Sequence, residues 1–117
     1  MNAPQGFPRT ARLLRRADFE AVYSGGKRRS SAQFVVFCRP TGAKGRSRFG
    51  ISIKKAIGGA VVRNRIRRRI REILRRNSSE IPTGWDLVIH PRRSVASASF
   101  APLATELVSL LRGLAPR

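Results

Sequence analysis

The sequence predicts a single-domain α/β (α+β) sandwich with helices packed on one sheet, and three observations carry that expectation. Segments of helical period and short β-branched runs follow one another as helix, strand, strand, helix, strand, helix, with place for a further short strand before the second helix. A chain of 117 residues builds one core and leaves little for a second module. Hydrophobic residues make up 41%, enough to fill that core.

Residues 1–12 contain Pro4, Gly6 and Pro8 without periodicity and read as a flexible arm, which leaves 13–117 as the domain. In residues 16–23, Phe19, Val22 and Tyr23 recur at helical spacing and run into Gly25-Gly26, a glycine stop. Residues 33–39 are β-branched and aromatic and end at Pro40. Residues 47–55 alternate Phe49, Ile51 and Ile53 with Gly50, Ser52 and Lys54, and the two-glycine link 41–46 suits a hairpin between these strands. Residues 60–76 form the strongest helical pattern. At about 100° per residue, Val62, Ile66, Ile70, Ile73 and Leu74 share an arc of about 120° that faces the core. Asp86 to His90 is a short apolar strand closed by Pro91. Ser99 then caps a last helix whose stripe is Leu103, Leu107, Leu110, Leu111 and Leu114.

Charge narrows the function. The chain has 25 Lys+Arg against 6 Asp+Glu, a formal net charge of +19, and only Lys27, Lys44, Lys54 and Lys55 are lysines. The expected partner is a polyanion, and the arginine excess favours structured nucleic acid because guanidinium grips phosphate bidentately and stacks on bases. A lone cysteine, Cys38, and a lone histidine, His90, exclude a disulfide framework and an ordinary zinc site; the free thiol fits a reducing cytoplasm. Residues 94–111, an apolar stretch whose one charge is Glu106, are too polar to span a bilayer, and no secretory signal is expected at the start of the chain.

The predicted helix 60–76 concentrates the positive charge, with eight arginines and one acid, Glu72, in seventeen positions. Like charges at i, i+4 destabilise a helix on its own. Here Asn64, Arg67, Arg68, Arg71 and Arg75 lie opposite the apolar stripe, so one edge packs while the other meets phosphates.

The string Gly50-Ile51-Ser52-Ile53-Lys54-Lys55-Ala56-Ile57-Gly58-Gly59 and the Arg63-Asn64-Arg65 motif that follows it closely resemble the signature of the bacterial ribonuclease P protein family. The pattern Asp18-Phe19-x-x-Val22-Tyr23 is similar to that family's first helix, Gln33 to Phe37 to its first long strand, and Trp85 to Ile89 to its last strand. The resemblance runs over about residues 13–112 in the family's order. It implies a mixed sheet of ribosomal-protein-like type with a left-handed βαβ crossover, an exception to the usual rule. It implies the protein subunit of a cytoplasmic ribonucleoprotein endonuclease that removes the 5′ leader from precursor tRNA. It further implies that the catalytic RNA performs the hydrolysis with Mg²⁺, that the protein itself holds no metal and supplies no catalytic side chain, and that neither a membrane nor an obligate protein partner is to be expected.

Carried over by position, Arg63, Asn64, Arg65, Arg67, Arg68 and Arg71, with Lys55 and in part Lys54, contact the catalytic RNA and the leader. Phe19, Tyr23 and Phe37 match aromatic positions lining a cleft for the single-stranded leader, although Phe19 and Tyr23 at i, i+4 can equally pack on the sheet. Phe34 and Phe37 occupy opposite strand faces, and one of them is core. Ala56 stands where the family commonly has a second lysine, and Gly59 replaces a more common polar residue at the helix start. Two rivals compete with this reading. A small ribosomal protein shares the size and charge but not the ordered motifs. A self-sufficient nuclease needs converging carboxylates, whereas Asp18, Glu20, Glu72, Glu80, Asp86 and Glu106 are scattered.

Overall fold

A computed structural model of the chain describes residues 12, 15–41 and 46–114. Its elements are α1 (Arg16–Gly25), β1 (Lys27–Ser30), β2 (Phe34–Pro40), β3 (Arg48–Ile51), α2 (Ala60–Arg76), β4 (Trp85–Pro91) and α3 (Phe100–Arg112), with 3₁₀ turns at Lys55–Ile57, Ser78–Glu80 and Arg93–Ala96. The four strands form one mixed sheet in the order β1-β2-β4-β3. β2 is antiparallel to both β1 and β4, and β3 is parallel to β4, so β3-α2-β4 is a crossover unit. Of the expected arm only Arg12 is described, and it bridges Phe49 beside the sheet edge.

The expected hairpin between β2 and β3 does not form, because β4 lies between them. β4 is buried along nearly its whole length, and a strand buried on both faces belongs in the middle of a sheet. The connection from β2 to β3 instead passes the start of β4. Thr41 N donates to Gly84 O at 2.9 Å, Ser47 Oγ donates to Pro82 O at 2.6 Å, and Trp85 N donates to Ser47 Oγ at 3.0 Å. β3 is also shorter than expected, ending at Ile51, although Ser52 N still donates to Ile89 O at 3.0 Å. The strand that sequence reasoning did not locate is β1, Lys-Arg-Arg-Ser, which has no apolar alternation. It pairs by backbone with β2 at the sheet edge, where cations are tolerated and deter further pairing.

Strand alternation gives the sheet two different faces. Phe34, Val36, Cys38, Phe49, Leu87 and Ile89 point to one side, where Ile66, Ile70, Ile73 and Leu74 of α2 and Leu103, Leu107 and Leu111 of α3 complete the main core. The Cys38 thiol is buried there, and burial pushes its pKa up to about 11 against a partial lowering by Arg29. We expect a thiol reagent to leave the folded protein unmodified near neutral pH and to react only on unfolding, as followed by mass spectrometry in a urea series.

The opposite face is only partly covered. α1 lies across it, with Val22 and the half-buried Phe19 packed on Val88 and Phe37. Gly26 ends α1 where the chain passes β2 so closely that a Cβ would sit 2.5 Å from Val22 O and 2.6 Å from Cys38 O. On the main-core side, Glu106 of α3 accepts from Ser31 Oγ at 2.5 Å and from Gln33 N at 2.6 Å, fastening the β1–β2 turn. Glu106→Ala should therefore cost about 1–2 kcal/mol in urea denaturation, since it strands two donors to a charged acceptor.

Candidate nucleic-acid interface

α2 is built from three faces. Its apolar stripe is buried, as the period predicts, and Val62 packs at the edge of the core. On one flank Arg65 Nε donates to Ala96 O at 2.7 Å, Arg69 donates to Ala98 O, and the guanidinium groups of Arg69 and Arg76 lie 5.7 Å and 5.2 Å from the Phe100 ring. These arginines fasten α2 to the chain entering α3. Arg65, which the motif assigns to RNA, is thus also a tether.

The other flank is different. Arg63, Arg67 and Arg71 follow one another at i, i+4, within about 80° of arc, beside the outward Asn64 and Arg68. Asn64 is occupied locally, its Oδ1 accepting from Arg67 Nη1 at 2.9 Å. The Arg71 guanidinium is held below its ordinary pKa, first by desolvation and then by the neighbouring charges of Arg12 and Arg67. A helix face whose cations oppose one another's charge is a surface waiting for an anion. Glu72 does not relieve it, because its carboxylate is taken by Arg75 at 2.6 Å and Arg76 at 2.5 Å, which hold its pKa down to about 2.

The uncovered part of the second sheet face is a cleft of about 240 Å³. Phe37 and His90 form its aromatic floor beside Val35, and Arg28, Ser52, Lys54, Ile57 and Arg92 line the rest. Alternation explains the floor: Val35 and Phe37 on β2 face the same way as Val88 and His90 on β4, and Val35 pairs directly with His90. The Tyr23, Phe37 and His90 rings meet with centroids 5.1–5.7 Å apart, and Tyr23 Oη lies 2.9 Å from His90 Nε2.

The structure therefore separates the three expected cleft aromatics. Phe37 lines the cleft, Tyr23 stands exposed at its rim, and Phe19 packs into the small cluster under α1. Phe34 is the core residue of the Phe34/Phe37 pair. Lys54 lines the cleft, while the exposed Lys55 opens the 3₁₀ turn that leads into α2. Sequence reasoning missed Arg28, Arg92 and His90 as cleft residues; for His90 the signal was available, because it shares strand parity with Val88.

Each of the six carboxylates has a partner within the chain. Arg48 of β3 binds Asp86 through two bonds of 2.9 Å and 2.8 Å and lies 3.6 Å from Asp18. Glu20 pairs with Arg16, Glu80 with Arg112, Glu72 with Arg75 and Arg76, and Glu106 holds the β1–β2 turn. Among the described residues no three His, Cys, Asp or Glu side chains cluster. No described helix is long and apolar enough to cross a membrane.

A sheet backed by two helices, with an acid-poor arginine face next to an aromatic cleft, defines a small polyanion-binding α+β protein. The profile of the family described as Ribonuclease P matches residues 7–115. The ribonuclease P protein component of Desulfovibrio desulfuricans is 38% identical over 92% of this chain and 85% of its own length, and that of Thermotoga maritima is 37% identical over 92% and 95%. The solved ribonuclease P protein from Thermotoga maritima superposes with a TM-score of 0.82 at 36% identity, covering 89% of this chain and 97% of that one. That from Staphylococcus aureus gives 0.76 at 30%, covering 87% and 93%. The chain belongs to the ribonuclease P protein family. It is a protein subunit of the endoribonuclease holoenzyme that serves tRNA 5′-end processing, and it associates with the ribonuclease P RNA. Nothing in these likenesses favours a ribosomal protein.

Proposed function

We propose that the two surfaces divide the work: α2 grips the catalytic RNA, and the cleft holds the single-stranded leader of precursor tRNA. The observation that carries this reading is their adjacency. Ile57 lines the cleft and Ala60 begins α2, so the arginine face starts where the cleft ends. Arg63, Arg67, Arg68 and Arg71 meet phosphates, with Asn64 orienting Arg67, while Lys54 and Lys55 bridge the two surfaces. Phe37 offers a stacking face worth roughly 1–3 kcal/mol per base, and stacking tolerates any leader sequence. With every carboxylate committed to a partner within the chain, Mg²⁺ and the hydrolysis it supports belong to the RNA subunit. The protein positions the leader and neutralises its phosphates, and the compartment is the cytoplasm.

The test is cleavage of a precursor tRNA at low Mg²⁺ by a bacterial ribonuclease P RNA, with and without the protein and with a lane of protein alone. Cleavage appears only when both are present, and the enhancement shrinks when the leader is cut to one nucleotide. RNA affinity falls with salt at a log-log slope of roughly −3 to −5 for about five displaced phosphate counterions. An affinity independent of salt, or cleavage by the protein alone, overturns the reading.

A further inference from the structure

His90 is the feature of the cleft that neither the motifs nor the arginine face explains. It lies half-buried on β4 at the centre of the cleft, its ring 5.3 Å from Phe37 at 70° and its Nε2 2.9 Å from Tyr23 Oη. Among the described residues no hydrogen bond is made by its Nδ1. The charged and titratable groups around it are Tyr23 from α1, Arg28 from β1, Lys54 from the β3–α2 connection and Arg92 beyond β4, while β2 supplies only Val35 and Phe37. Among the described residues no carboxylate lines this space.

We propose that His90 is a leader contact, its Nδ1 donating to an anionic backbone oxygen of the single-stranded RNA while Tyr23 holds Nε2, so that RNA binding draws a solvent proton onto this ring. The inference rests on the reading of the cleft as the leader site. The chemistry of the pair permits both protonation states. In the neutral ring the Tyr23 hydroxyl donates to Nε2, which leaves the proton on Nδ1; in the imidazolium both nitrogens donate and Tyr23 Oη accepts. In the free protein, burial and then the charge of Lys54 pull the imidazole below its ordinary pKa, so it adds no charge to an already repulsive surface. A phosphate beside Nδ1 reverses that balance. His90 is thus a cation that appears only when the anion has arrived, which a lysine there cannot be.

His90 is the only histidine in the chain, so its ring resonances are unambiguous. The first measurement is its NMR titration in the full chain, with and without a short oligouridylate: the midpoint should rise by about one pH unit when RNA is bound. The second uses the assembled holoenzyme under divalent conditions that hold cleavage back. The ratio of affinities for precursor tRNA with a long leader and with a one-nucleotide leader is measured from about pH 8 to about pH 5.5. That ratio should grow up to about tenfold toward acid, and His90→Gln, whose amide can still accept from Tyr23, should keep a leader advantage that is flat with pH. A midpoint unmoved by RNA, or an unchanged pH slope in His90→Gln, overturns the proposal while leaving the leader site intact. A ratio of one at every pH removes the leader site and this proposal with it.

Discussion

A chain carrying Arg63→Gln, Arg67→Gln and Arg71→Gln together should bind the catalytic RNA with a salt dependence about two to three log-log units shallower, and on the order of a hundredfold more weakly at moderate salt. The same chain should melt at a higher temperature than the parent. These opposite signs follow from one fact: the flank holds cations that raise one another's energy, with Arg71 held below its ordinary pKa by desolvation and by Arg12 and Arg67. Removing them relieves the free protein and deprives the complex. Arg65→Gln with Arg69→Gln is the informative contrast. Those side chains donate to Ala96 and Ala98 carbonyls, so their loss should lower stability more than it flattens the salt slope. Filter binding across a salt series and thermal melts of both variants check the pair. Equal slopes in parent and triple variant would remove α2's flank from the interface.

This partition of the arginines was only half legible in the sequence. The 3.6-residue period placed the core stripe of α2 correctly because Ile66, Ile70, Ile73 and Leu74 leave no competing face, and the bounds 60–76 agree with the observed helix. Period alone cannot say which side of the polar arc turns toward Ala96 and Phe100 and which stays open, since that depends on where the Arg93–Ala96 turn and α3 are placed. The same limit produced the wrong hairpin. Residues 33–39 and 47–55 each read as strands, but the strand that lies between them in the sheet, Trp85–Pro91, comes far later in the sequence, and its apolar run Leu87-Val88-Ile89 was the one sign that it belonged at the centre. β1 gave no sign at all: Lys27 to Ser30 form a strand because β2 offers an unpaired edge, not because their side chains prefer one. The Asp18-Phe19-x-x-Val22-Tyr23 pattern, legible as a motif, acquires its physical reasons only in the fold. Asp18 reaches Arg48, Phe19 and Val22 pack on Val88, and Tyr23 reaches His90.

Gly26→Ala tests whether α1 and the cleft stand or fall together, and its expected cost is about 2–4 kcal/mol, a loss of roughly 10 °C or more in melting temperature for a domain of this size. The backbone at Gly26 has φ −103°, which alanine adopts freely, so conformational strain is not the cause. Space is: the new methyl group would lie 2.5 Å and 2.6 Å from two backbone carbonyl oxygens, neither of which can rotate away. The Cys38 contact is relieved only by lifting the end of α1 from β2 and the Val22 contact only by opening the last turn of α1, and that turn carries Tyr23. Gly59→Ala, by comparison, meets nothing within 4 Å and should cost only about 0.5–1 kcal/mol, the ordinary loss from placing alanine at a helix N-cap. At a temperature where Gly26→Ala is still folded, it should lose the leader-dependent part of precursor affinity as Tyr23 leaves His90. The salt slope for the catalytic RNA should remain, because Arg63, Arg67, Arg68 and Arg71 sit on α2, which packs on the other face of the sheet. Loss of both together would mean that the two surfaces are one.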